Sequence, residues 1–529
     1  MPDPQPTDVL ILGGGLAGLS LALQLRARCP DLAIRILERR RHPVPAAAHK
    51  VGESTVEIGA HYFAETLSLR AHLDAAQVRK FGFRFFFSEG CAELGRATEL
   101  GISRAFPIPT WQLERGTFEN FLGREATRRG IEFVQGASVR AVHPGQPHAV
   151  HASHDGTLRT HRARWLIDAS GRAGLLRRQF GLTEDNGHHI GAAWLRVNAR
   201  LHLDHWCDDP AWRDRCVPRE RWRSTNHLCG PGYWVWLVPL ASGAHSIGIV
   251  ADASLHPVET FNTFDRALAW LDVHQPALAR ELQPHRDALL DFRFLRNVSY
   301  GCRQVFSADR WALTGEAALF LDPFYSPGSD FIAIGNGYIT ELVARDFSGR
   351  MDARAVRHFQ QLFLSFYRNT LELYRGQYAL FGNARVMTAK VLWDYTYYWG
   401  VLAPLAIGGW LTDLTLFTDL APRLVAAESL NARMQTLFRE WHARGKPPSM
   451  PGWLDQQELD WFARLNARLH DSLDARAMRA RVRENIELLH ALAGTLAERA
   501  AGNARGLAVD ALRAAAGDRP RPALFRAVA

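Results

Sequence analysis

A glycine-rich turn near the start of the chain most constrains what this sequence can fold into. A short apolar run leads into Gly13, Gly15 and Gly18 in G-x-G-x-x-G spacing, and an apolar stripe of helical period follows. This order predicts a strand, a tight turn and a helix. Gly13 permits the turn, Gly15 lets a pyrophosphate approach the backbone, and Gly18 lets the helix lie close to the strand. The helix N-terminus adds N–H groups that favour an anion.

The second predicted strand ends in an acid at the distance that a dinucleotide site needs. Ala33–Leu37 is followed by Glu38, twenty residues after Gly18, where a carboxylate binds a ribose hydroxyl. The alternative is an ordinary strand-to-helix turn in an alanine-rich chain. The strand, the helix and the acid together favour a dinucleotide. The residues expected to bind it here are Gly13, Gly15, Ala17, Gly18, Glu38 and Arg39.

Composition indicates a globular protein with an unusual source of positive charge. Of the 529 residues, 47% are hydrophobic and 22% are charged, and the formal net charge is +9. Arginine supplies almost all of the positive charge, because the only lysines are Lys50, Lys80, Lys390 and Lys446. Either an acidic partner or a GC-rich genome explains this bias. We expect no nucleic acid, because no recognised nucleic-acid-binding motif accompanies the charge.

Targeting and cysteine signals favour a reducing compartment. The first residues lack a basic region followed by an apolar one, so we expect a cytoplasmic protein. The six cysteines form no C-x-x-C pair, so we expect free thiols and no metal site. The apolar stretch Tyr397–Thr412 contains Pro404 and three glycines. It predicts a buried or interfacial helix pair, with no transmembrane span.

The middle of the chain continues the nucleotide domain and then changes period. Gly52–Thr55 predicts a helix N-terminus near the cofactor, and Val78–Phe87 predicts an aromatic strand with Lys80 at its start. A strand ending at Asp168 leads into a second glycine turn. Alternating strands follow from about residue 190 to 305, a helix from about Ile332 to Ala344, and helical text from 352, rich in arginine and alanine over 475–515.

Several motifs together resemble the flavin-dependent halogenases, relatives of the single-component flavin monooxygenases, from the N-terminus to about residue 400. The most discriminating one is Trp234-x-Trp236-x-x-Pro239, which departs from the W-x-W-x-I-P signature of that family only at Val238. Alone, it could be a pair of core tryptophans that alternate with solvent-facing residues. The other matching motifs are Gly13-x-Gly15-x-x-Gly18, Val51-Gly52-Glu53-Ser54, Lys80-Phe81-Gly82, Gly315-Glu316, Asp322-Pro323 and Gly328.

The resemblance implies FAD, which a separate flavin reductase delivers in reduced form, since the chain has no second glycine fingerprint. In that family, reduced flavin, oxygen and chloride or bromide yield hypohalous acid, which travels through a tunnel to a lysine beside an aromatic substrate. Lys80 would be this lysine, and Trp234 and Trp236 would shield the tunnel. Lys50 is a second candidate. The structural alternative for Lys80 is a side chain that snorkels at a strand start.

The same resemblance implies the remaining site residues. Gly328 and Ser329 would hold the halide with backbone N–H groups, although Pro327 beside them has none to give. Tyr325 replaces a glutamate of the tryptophan-specific relatives, so we expect a phenolic or pyrrolic ring, free or on an acyl carrier protein, as in the aryl-polyene-associated branch. The further residues implied to bind FAD are Arg115, Asp168, Glu316 and Pro323.

These expectations define an α/β fold: a Rossmann-like FAD-binding domain with an inserted antiparallel sheet and a helical C-terminal region. The predicted ranges are 1–189 and 306–350 for the FAD-binding domain, 190–305 for the sheet and 351–529 for the helical region. Two rival functions remain open. One is an aromatic hydroxylase, in which Lys80 and the tryptophans are structural. The other is an inactive flavin-binding partner of a biosynthetic complex. Two departures from the family's pattern favour it: Pro327, which has no N–H for the halide, and Glu316, which stands where most such flavoproteins carry Asp.

Overall fold

The computed structural model describes residues 5–46, 50–445, 452–501, 522 and 524. The chain forms two compact units. The first unit contains Met1–Gln77, Leu113–Gly187 and Ser299–Tyr367. The second contains Val78–Gln112, His188–Val298 and Arg368–Ala529.

The strands and helices of the described residues follow in chain order. The strands are β1 (Thr7–Leu12), β2 (Ile34–Glu38), β3 (Val78–Arg79), β4 (Phe83–Phe87), β5 (Thr98–Gly101), β6 (Trp111–Gln112), β7 (Glu132–Gln135), β8 (Ala137–His143), β9 (His148–His154), β10 (Thr157–Asp168), β11 (Thr183–Glu184), β12 (Ile190–Val197), β13 (Thr225–Gly230), β14 (Tyr233–Pro239), β15 (His245–Asp252), β16 (Leu289–Leu295), β17 (Gly301–Cys302), β18 (Trp311–Leu313) and β19 (Trp453–Asp455). The α-helices are α1 (Leu16–Arg28), α2 (Glu57–His61), α3 (Arg70–Ala76), α4 (Arg115–Arg128), α5 (Leu175–Gln179), α6 (Pro210–Arg213), α7 (Phe264–His274), α8 (Pro276–Leu282), α9 (Gly328–Phe347), α10 (Ala353–Leu371), α11 (Ala384–Tyr397), α12 (Ala403–Ile407), α13 (Leu414–Ala443), α14 (Asp460–Ala467) and α15 (Ala475–Ala501).

The first unit is built on a seven-stranded sheet in the order β7-β2-β1-β10-β9-β8, with β18 also paired to β10. β7, β2, β1, β10 and β18 run parallel, and β9 is antiparallel to both β8 and β10. The parallel strands are apolar because helices cover them, and Leu10, Ile36 and Ile167 have no exposed surface. The predicted Rossmann-like domain is confirmed. The carboxyl ends of its parallel strands define the edge where such sheets bind ligands.

Helix α9 is held to this sheet by one buried carboxylate near its C-terminal end. Asp346 accepts hydrogen bonds from Arg164 Nε at 2.8 Å, Trp165 Nε1 at 2.9 Å and Arg310 Nε at 2.9 Å. Burial alone would raise the pKa of Asp346, but these three hydrogen bonds hold it below the usual value. The anchored helix begins at Gly328, four residues before the predicted start at Ile332.

The second unit is built on an eight-stranded sheet in the order β16-β12-β15-β14-β13-β4-β5-β19. Neighbouring strands are antiparallel except in the pairs β13–β4 and β5–β19, which are parallel. One face carries a hydrophobic core that includes Leu195, Val235, Leu237 and Ile249, and α7 and α8 contribute Leu271 and Leu278 to it. Because side chains alternate across a strand, the residues between these positions face the other way.

The two compact units begin and end at other residues than the domain ranges predicted from sequence periodicity. Residues 78–112, placed by sequence in the FAD-binding range, supply strands β4 and β5 of the second sheet, and β19 comes from the region expected to be helical. These pairings join residues that are far apart in the chain, so local periodicity could not show them. The aromatic run also forms two strands, β3 and β4, with Lys80 in the break between them.

Two further expectations concern helices. The helix after Gly52–Thr55 begins at Glu57, slightly later than predicted. The apolar stretch 397–412 forms a π-helical turn, α12 and a 3-10 turn. Within the described ranges, no helix combines the length and the apolar character that crossing a membrane requires. Residues 502–515 of the predicted C-terminal helical text lie outside the described residues.

Candidate active site

The glycine turn after β1 is shaped by close backbone contacts in the first unit. A Cβ at Gly13, where φ is +116°, would lie 2.3 Å from the Ala169 carbonyl oxygen. A Cβ at Gly18 would lie 2.0 Å from the Gly13 carbonyl oxygen. Both positions therefore require glycine so that the turn can meet the neighbouring loop and the helix can meet the turn.

Gly15 differs from its neighbours because the space beside it is open. A Cβ there would meet only Lys50 Nζ, at 3.7 Å. The first hydrogen bond inside α1 runs from the Leu19 N–H to the Gly15 carbonyl, so the N–H groups of the preceding helical residues have no acceptor within the helix. An open backbone, a helix N-terminus and a nearby ammonium group fit a pyrophosphate.

Glu38 reaches from the end of β2 to the same turn. Its carboxylate accepts the Gly14 N–H at 2.7 Å and the Arg40 N–H at 2.8 Å. These bonds fix the carboxylate beside the turn, as the ribose interpretation requires. Arg39 is exposed next to it. Ala17, in the first turn of α1, accepts a hydrogen bond on its carbonyl oxygen from Asn336 Nδ2 at 3.2 Å.

The sequence did not indicate the ion pairs that surround Lys50. Lys50 Nζ forms an ion pair with Glu119, and Arg115 Nη2 lies 2.8 Å from the other oxygen of that carboxylate. Burial alone would raise the pKa of Glu119, but Arg115 and Lys50 hold it below the usual value. Arg115 Nη1 also donates to the Val51 carbonyl at 2.5 Å. Lys50, the second candidate for the lysine beside the substrate, thus lies in the first unit beside Gly15.

The turns after β10 and β18 also lie at the carboxyl ends of parallel strands in the first unit. Asp168 accepts the Ser170 N–H at 2.9 Å and the Leu176 N–H at 2.8 Å, so both carboxylate oxygens shape the turn after β10. Its pKa is raised, because burial outweighs these hydrogen bonds. In the turn after β18, Glu316 lies 3.8 Å from Arg172 Nη1. Asp168 therefore positions a loop, and Glu316 is half-exposed at the cofactor edge.

The loop before α9 carries the predicted halide residues. Pro323 accepts the Ser326 N–H at 2.9 Å, and Tyr325 contacts Phe324. Because α9 begins at Gly328, the N–H groups of Gly328 and Ser329 belong to its first turn, ahead of the first bond inside the helix. The buried Ser329 hydroxyl has no hydrogen-bond partner within the described residues.

In the second unit, Lys80 is buried against an aromatic ring. Its side chain and backbone are 4% exposed in total, and its ammonium nitrogen lies 3.4 Å from the centre of the Phe83 ring. The Lys80 N–H donates to the Thr110 carbonyl at 2.9 Å. This geometry excludes the snorkelling alternative, because such a lysine carries its ammonium group into water. A cation over an aromatic face is a stabilising contact.

Trp234 and Trp236 lie on the face of the second sheet opposite the hydrophobic core that contains Val235 and Leu237. Trp234 Nε1 donates to the Tyr378 hydroxyl at 3.0 Å, and Trp236 Nε1 donates to Ser246 Oγ at 3.2 Å. The Trp236 ring covers Gly248, where a Cβ would lie 2.1 Å from it. Both faces of β14 are buried, so these tryptophans do not alternate with solvent-facing residues.

His227 belongs to this aromatic face and was missed from the sequence. It has no exposed surface, stacks on Phe85 with ring centres 4.5 Å apart, and lies 5.2 Å from the Trp234 ring. It also meets the edge of Phe83 at 5.1 Å, on the ring that Lys80 contacts. The pairing of β13 with β4 creates this neighbourhood, and no local motif marks it. We call five of these side chains the aromatic face: Phe83, Phe85, His227, Trp234 and Trp236.

Comparison with known proteins finds a domain match and several relatives. The model of the FAD binding domain matches residues 6–252. A flavin-dependent halogenase, chlA of Dictyostelium discoideum, is 26% identical over 76% of this chain and 71% of its own length. A brominase of 1H-pyrrole-2-carbonyl groups on a peptidyl-carrier protein, from Pseudoalteromonas luteoviolacea, is 26% identical over 61% of this chain and 74% of its own. The chain therefore contains an FAD binding domain and is similar in sequence to flavin-dependent halogenases.

Comparison with solved structures shows the same fold. The crystal structure of halogenase PltM matches with a TM-score of 0.65 at 18% sequence identity, and the match covers 92% of this chain and 97% of that one. The matched FAD binding domain supports FAD as the cofactor. Among the described residues, no group of three or more His, Cys, Asp or Glu side chains is arranged to hold a metal ion.

Gly15 offers a test of the cofactor cradle that leaves the fold intact. We expect Gly15→Val to weaken FAD binding about 100-fold, or about 2.7 kcal/mol, because the new side chain fills the open space. Its melting temperature should stay near that of the wild type, since Gly15 has φ −85° and its Cβ meets no backbone atom within 4 Å. FAD affinity is measured by fluorescence titration of the apoprotein.

Gly18→Val is the matched control, because its Cβ would strike the Gly13 carbonyl. It should lower the melting temperature of the apoprotein. Near-native FAD affinity of a correctly folded Gly15→Val protein would contradict the placement of the pyrophosphate at this turn.

Proposed function

We propose that this protein halogenates an electron-rich aromatic ring and that Lys80 presents hypohalous acid to the substrate. The observation that carries the proposal is the buried ammonium group of Lys80, 3.4 Å from the Phe83 ring centre on the aromatic face. The face of an aromatic ring stabilises a cation, so this contact holds the ammonium group among aromatic side chains. Reduced FAD, with oxygen and chloride or bromide, supplies the hypohalous acid.

The cofactor contacts follow from the first unit. Gly13, Gly15 and Gly18 would admit the pyrophosphate, and Glu38 would accept from a ribose hydroxyl. Lys50 would face the phosphates with its ammonium group, while Glu119 holds that group in place. Further contacts are proposed for Ala17, Arg39, Arg115, Glu316 and Pro323. Asp168 would act by holding the turn after β10.

The halide would bind at the N-terminus of α9. The N–H groups of Gly328 and Ser329 lie in the first turn of a 20-residue helix, whose dipole favours an anion. Pro327 precedes them and contributes no donor. The Ser329 hydroxyl, which has no hydrogen-bond partner among the described residues, is a further candidate donor.

Lys80 can assist hypohalous acid in two ways. As an ammonium group it donates a hydrogen bond to the oxygen, which makes the halogen more electrophilic. As a neutral amine it forms a haloamine and releases water. Contact with the Phe83 ring favours the cation and hence the first route. In the transfer, a ring carbon bonds to the halogen, the halogen–oxygen bond breaks, and the ring proton and the hydroxide leave as water.

The ring is proposed to be phenolic or pyrrolic, and a carrier protein is its proposed bearer. Tyr325 stands where a glutamate would be expected for free tryptophan, and the brominase relative acts on a pyrrolyl group of a peptidyl-carrier protein. A separate flavin reductase is proposed to supply reduced FAD. The net charge of +9 suits an acidic carrier.

Substitutions of Lys80 and of Lys50 should give different phenotypes. We expect Lys80→Ala to lower halogenated product by about two orders of magnitude or more, while flavin oxidation and peroxide release continue. Lys50→Ala should weaken FAD binding about tenfold but halogenate at near-normal rates when FAD is saturating. Product is counted by mass spectrometry and flavin oxidation by absorbance. Unchanged halogenation by Lys80→Ala would contradict the role given to Lys80.

Salt tests the carrier proposal. A carrier-bound aromatic acid should turn over faster than the free acid, and the advantage should shrink as ionic strength passes about 0.15 M, where the Debye length is about 8 Å. An uncharged thioester of the same acid is the matched control, because it keeps the acyl bond and lacks the acidic surface. Equal, salt-insensitive turnover of all three forms would leave a free small molecule as the substrate.

A further inference from the structure

The backbone on both sides of Lys80 is held by one short turn of the second unit, Arg221–Ser224. Arg223 Nε donates to the Arg79 carbonyl at 3.0 Å, and the Phe81 N–H donates to the Arg223 carbonyl at 3.1 Å. Ser224 Oγ donates to the Phe81 carbonyl at 2.8 Å. These three bonds bracket Lys80, which lies in the break between β3 and β4. The turn therefore fixes the backbone from which the lysine side chain extends.

The turn is itself anchored in a buried charge cluster. Arg221 Nη1 lies 2.7 Å from Asp204, and its Nε lies 2.8 Å from Glu99. Arg84, on β4, forms an ion pair with the same Glu99 carboxylate. The guanidinium groups of both arginines and the carboxylate of Glu99 have no exposed surface. We call Arg84, Glu99, Asp204 and Arg221 the charge cluster.

Further hydrogen bonds hold the cluster in place. The Arg221 N–H donates to Asp204 at 3.0 Å, Arg221 Nη2 donates to the Trp212 carbonyl at 2.7 Å, and Arg84 Nη2 donates to the Ile102 carbonyl at 2.7 Å. Burial opposes the charge of Arg221, yet Glu99 and Asp204 raise its pKa above the usual value.

Such a cluster is a poor source of stability. Removing charges from water costs several kcal/mol for each ion, and well-packed apolar side chains often stabilise a protein equally well or better. Buried polar groups do define one geometry sharply, because any displacement leaves a charge or a donor unpaired. Here the geometry so defined is that of the turn beside Lys80 and of strand β4, which carries Phe83.

We propose that the charge cluster and the turn Arg221–Ser224 position Lys80 for halogen transfer, with Arg223 and Ser224 as the positioning residues that contact its flanking backbone. The inference rests on the proposed function of Lys80. A displacement of about 1 Å at a reacting group can cost about 100-fold in rate. Loosening the turn should therefore let hypohalous acid escape before it halogenates the substrate.

Ser224→Ala tests this inference in the full-length protein loaded with FAD. It removes the hydroxyl that holds Phe81 and nothing larger. The readout is the partition of hypohalous acid between halogenated substrate and a 1,3-diketone scavenger in solution. We expect about a tenfold shift toward the scavenger, with flavin oxidation unchanged. Arg223→Gln, whose guanidinium group is partly exposed, should shift the partition in the same direction.

Ser88→Ala is the matched control, because Ser88 is also buried and lies just beyond the other end of β4. Its hydroxyl donates to Gln275 Oε1 at 2.8 Å, so the change removes one buried hydrogen bond elsewhere in the sheet. Both alanine variants should lose similar thermal stability, and only Ser224→Ala should shift the partition. Ser224→Thr, which restores the hydroxyl, should return the partition toward that of the wild type.

The outcomes separate this inference from the proposed function. An equal partition in Ser224→Ala, Ser88→Ala and the wild type overturns the positioning role, provided that Lys80→Ala makes no halogenated product. If Lys80→Ala halogenates like the wild type, the proposed function of Lys80 fails, and the inference fails with it. If Ser224→Ala shifts the partition toward the scavenger and Ser224→Thr reverses that shift, the positioning role is supported.

Discussion

The parallel pairing of β4 with β13 is the constraint on which the second unit depends. It aligns Phe83 with Thr225 and Phe85 with His227. The antiparallel neighbour β14 then adds Trp234 and Trp236 to the same face. Without this pairing, the lysine before β4 would have no buried aromatic surroundings. A segment from early in the chain thus completes a sheet whose other strands come mostly from residues beyond 189.

Both faces of this sheet are buried, and they meet different partners. Val235 and Leu237 enter the hydrophobic core that α7 and α8 share. Trp234 and Trp236, one residue out of phase, meet polar partners through their indole N–H groups. A buried indole that donates a hydrogen bond keeps one orientation. These two hydrogen bonds therefore hold the tryptophan side chains in place on the aromatic face.

Short spacing is what allowed site residues to be proposed from the sequence. Gly13, Gly15, Gly18 and the acid Glu38 could be proposed because backbone geometry ties each to its neighbours. Lys80 could be proposed from a local motif that resembles that of the halogenases. The sequence could not show that β4 leaves the first sheet, nor that Lys50 lies beside Gly15, because those contacts depend on pairing between distant segments. The hydrogen bond from Ser224 to the Phe81 carbonyl is another such contact.

The start of helix α9 differs from the start predicted from the sequence. Pro327 directly precedes α9, and the helix begins at Gly328, four residues before the predicted start at Ile332. The N–H groups of Gly328 and Ser329, the residues proposed to bind the halide, therefore lie in the first turn of a helix.

The most direct test of the account is the identity of the product formed with bromide. The protein would be supplied with oxygen, a flavin reductase that regenerates reduced FAD, and phenolic and pyrrolic acids in free and carrier-bound form. The account predicts a product with the isotope doublet of bromine that disappears when halide is omitted. An oxygenated product that forms equally without halide would contradict it and would identify a hydroxylase, whereas flavin oxidation with no modified substrate would indicate an inactive partner.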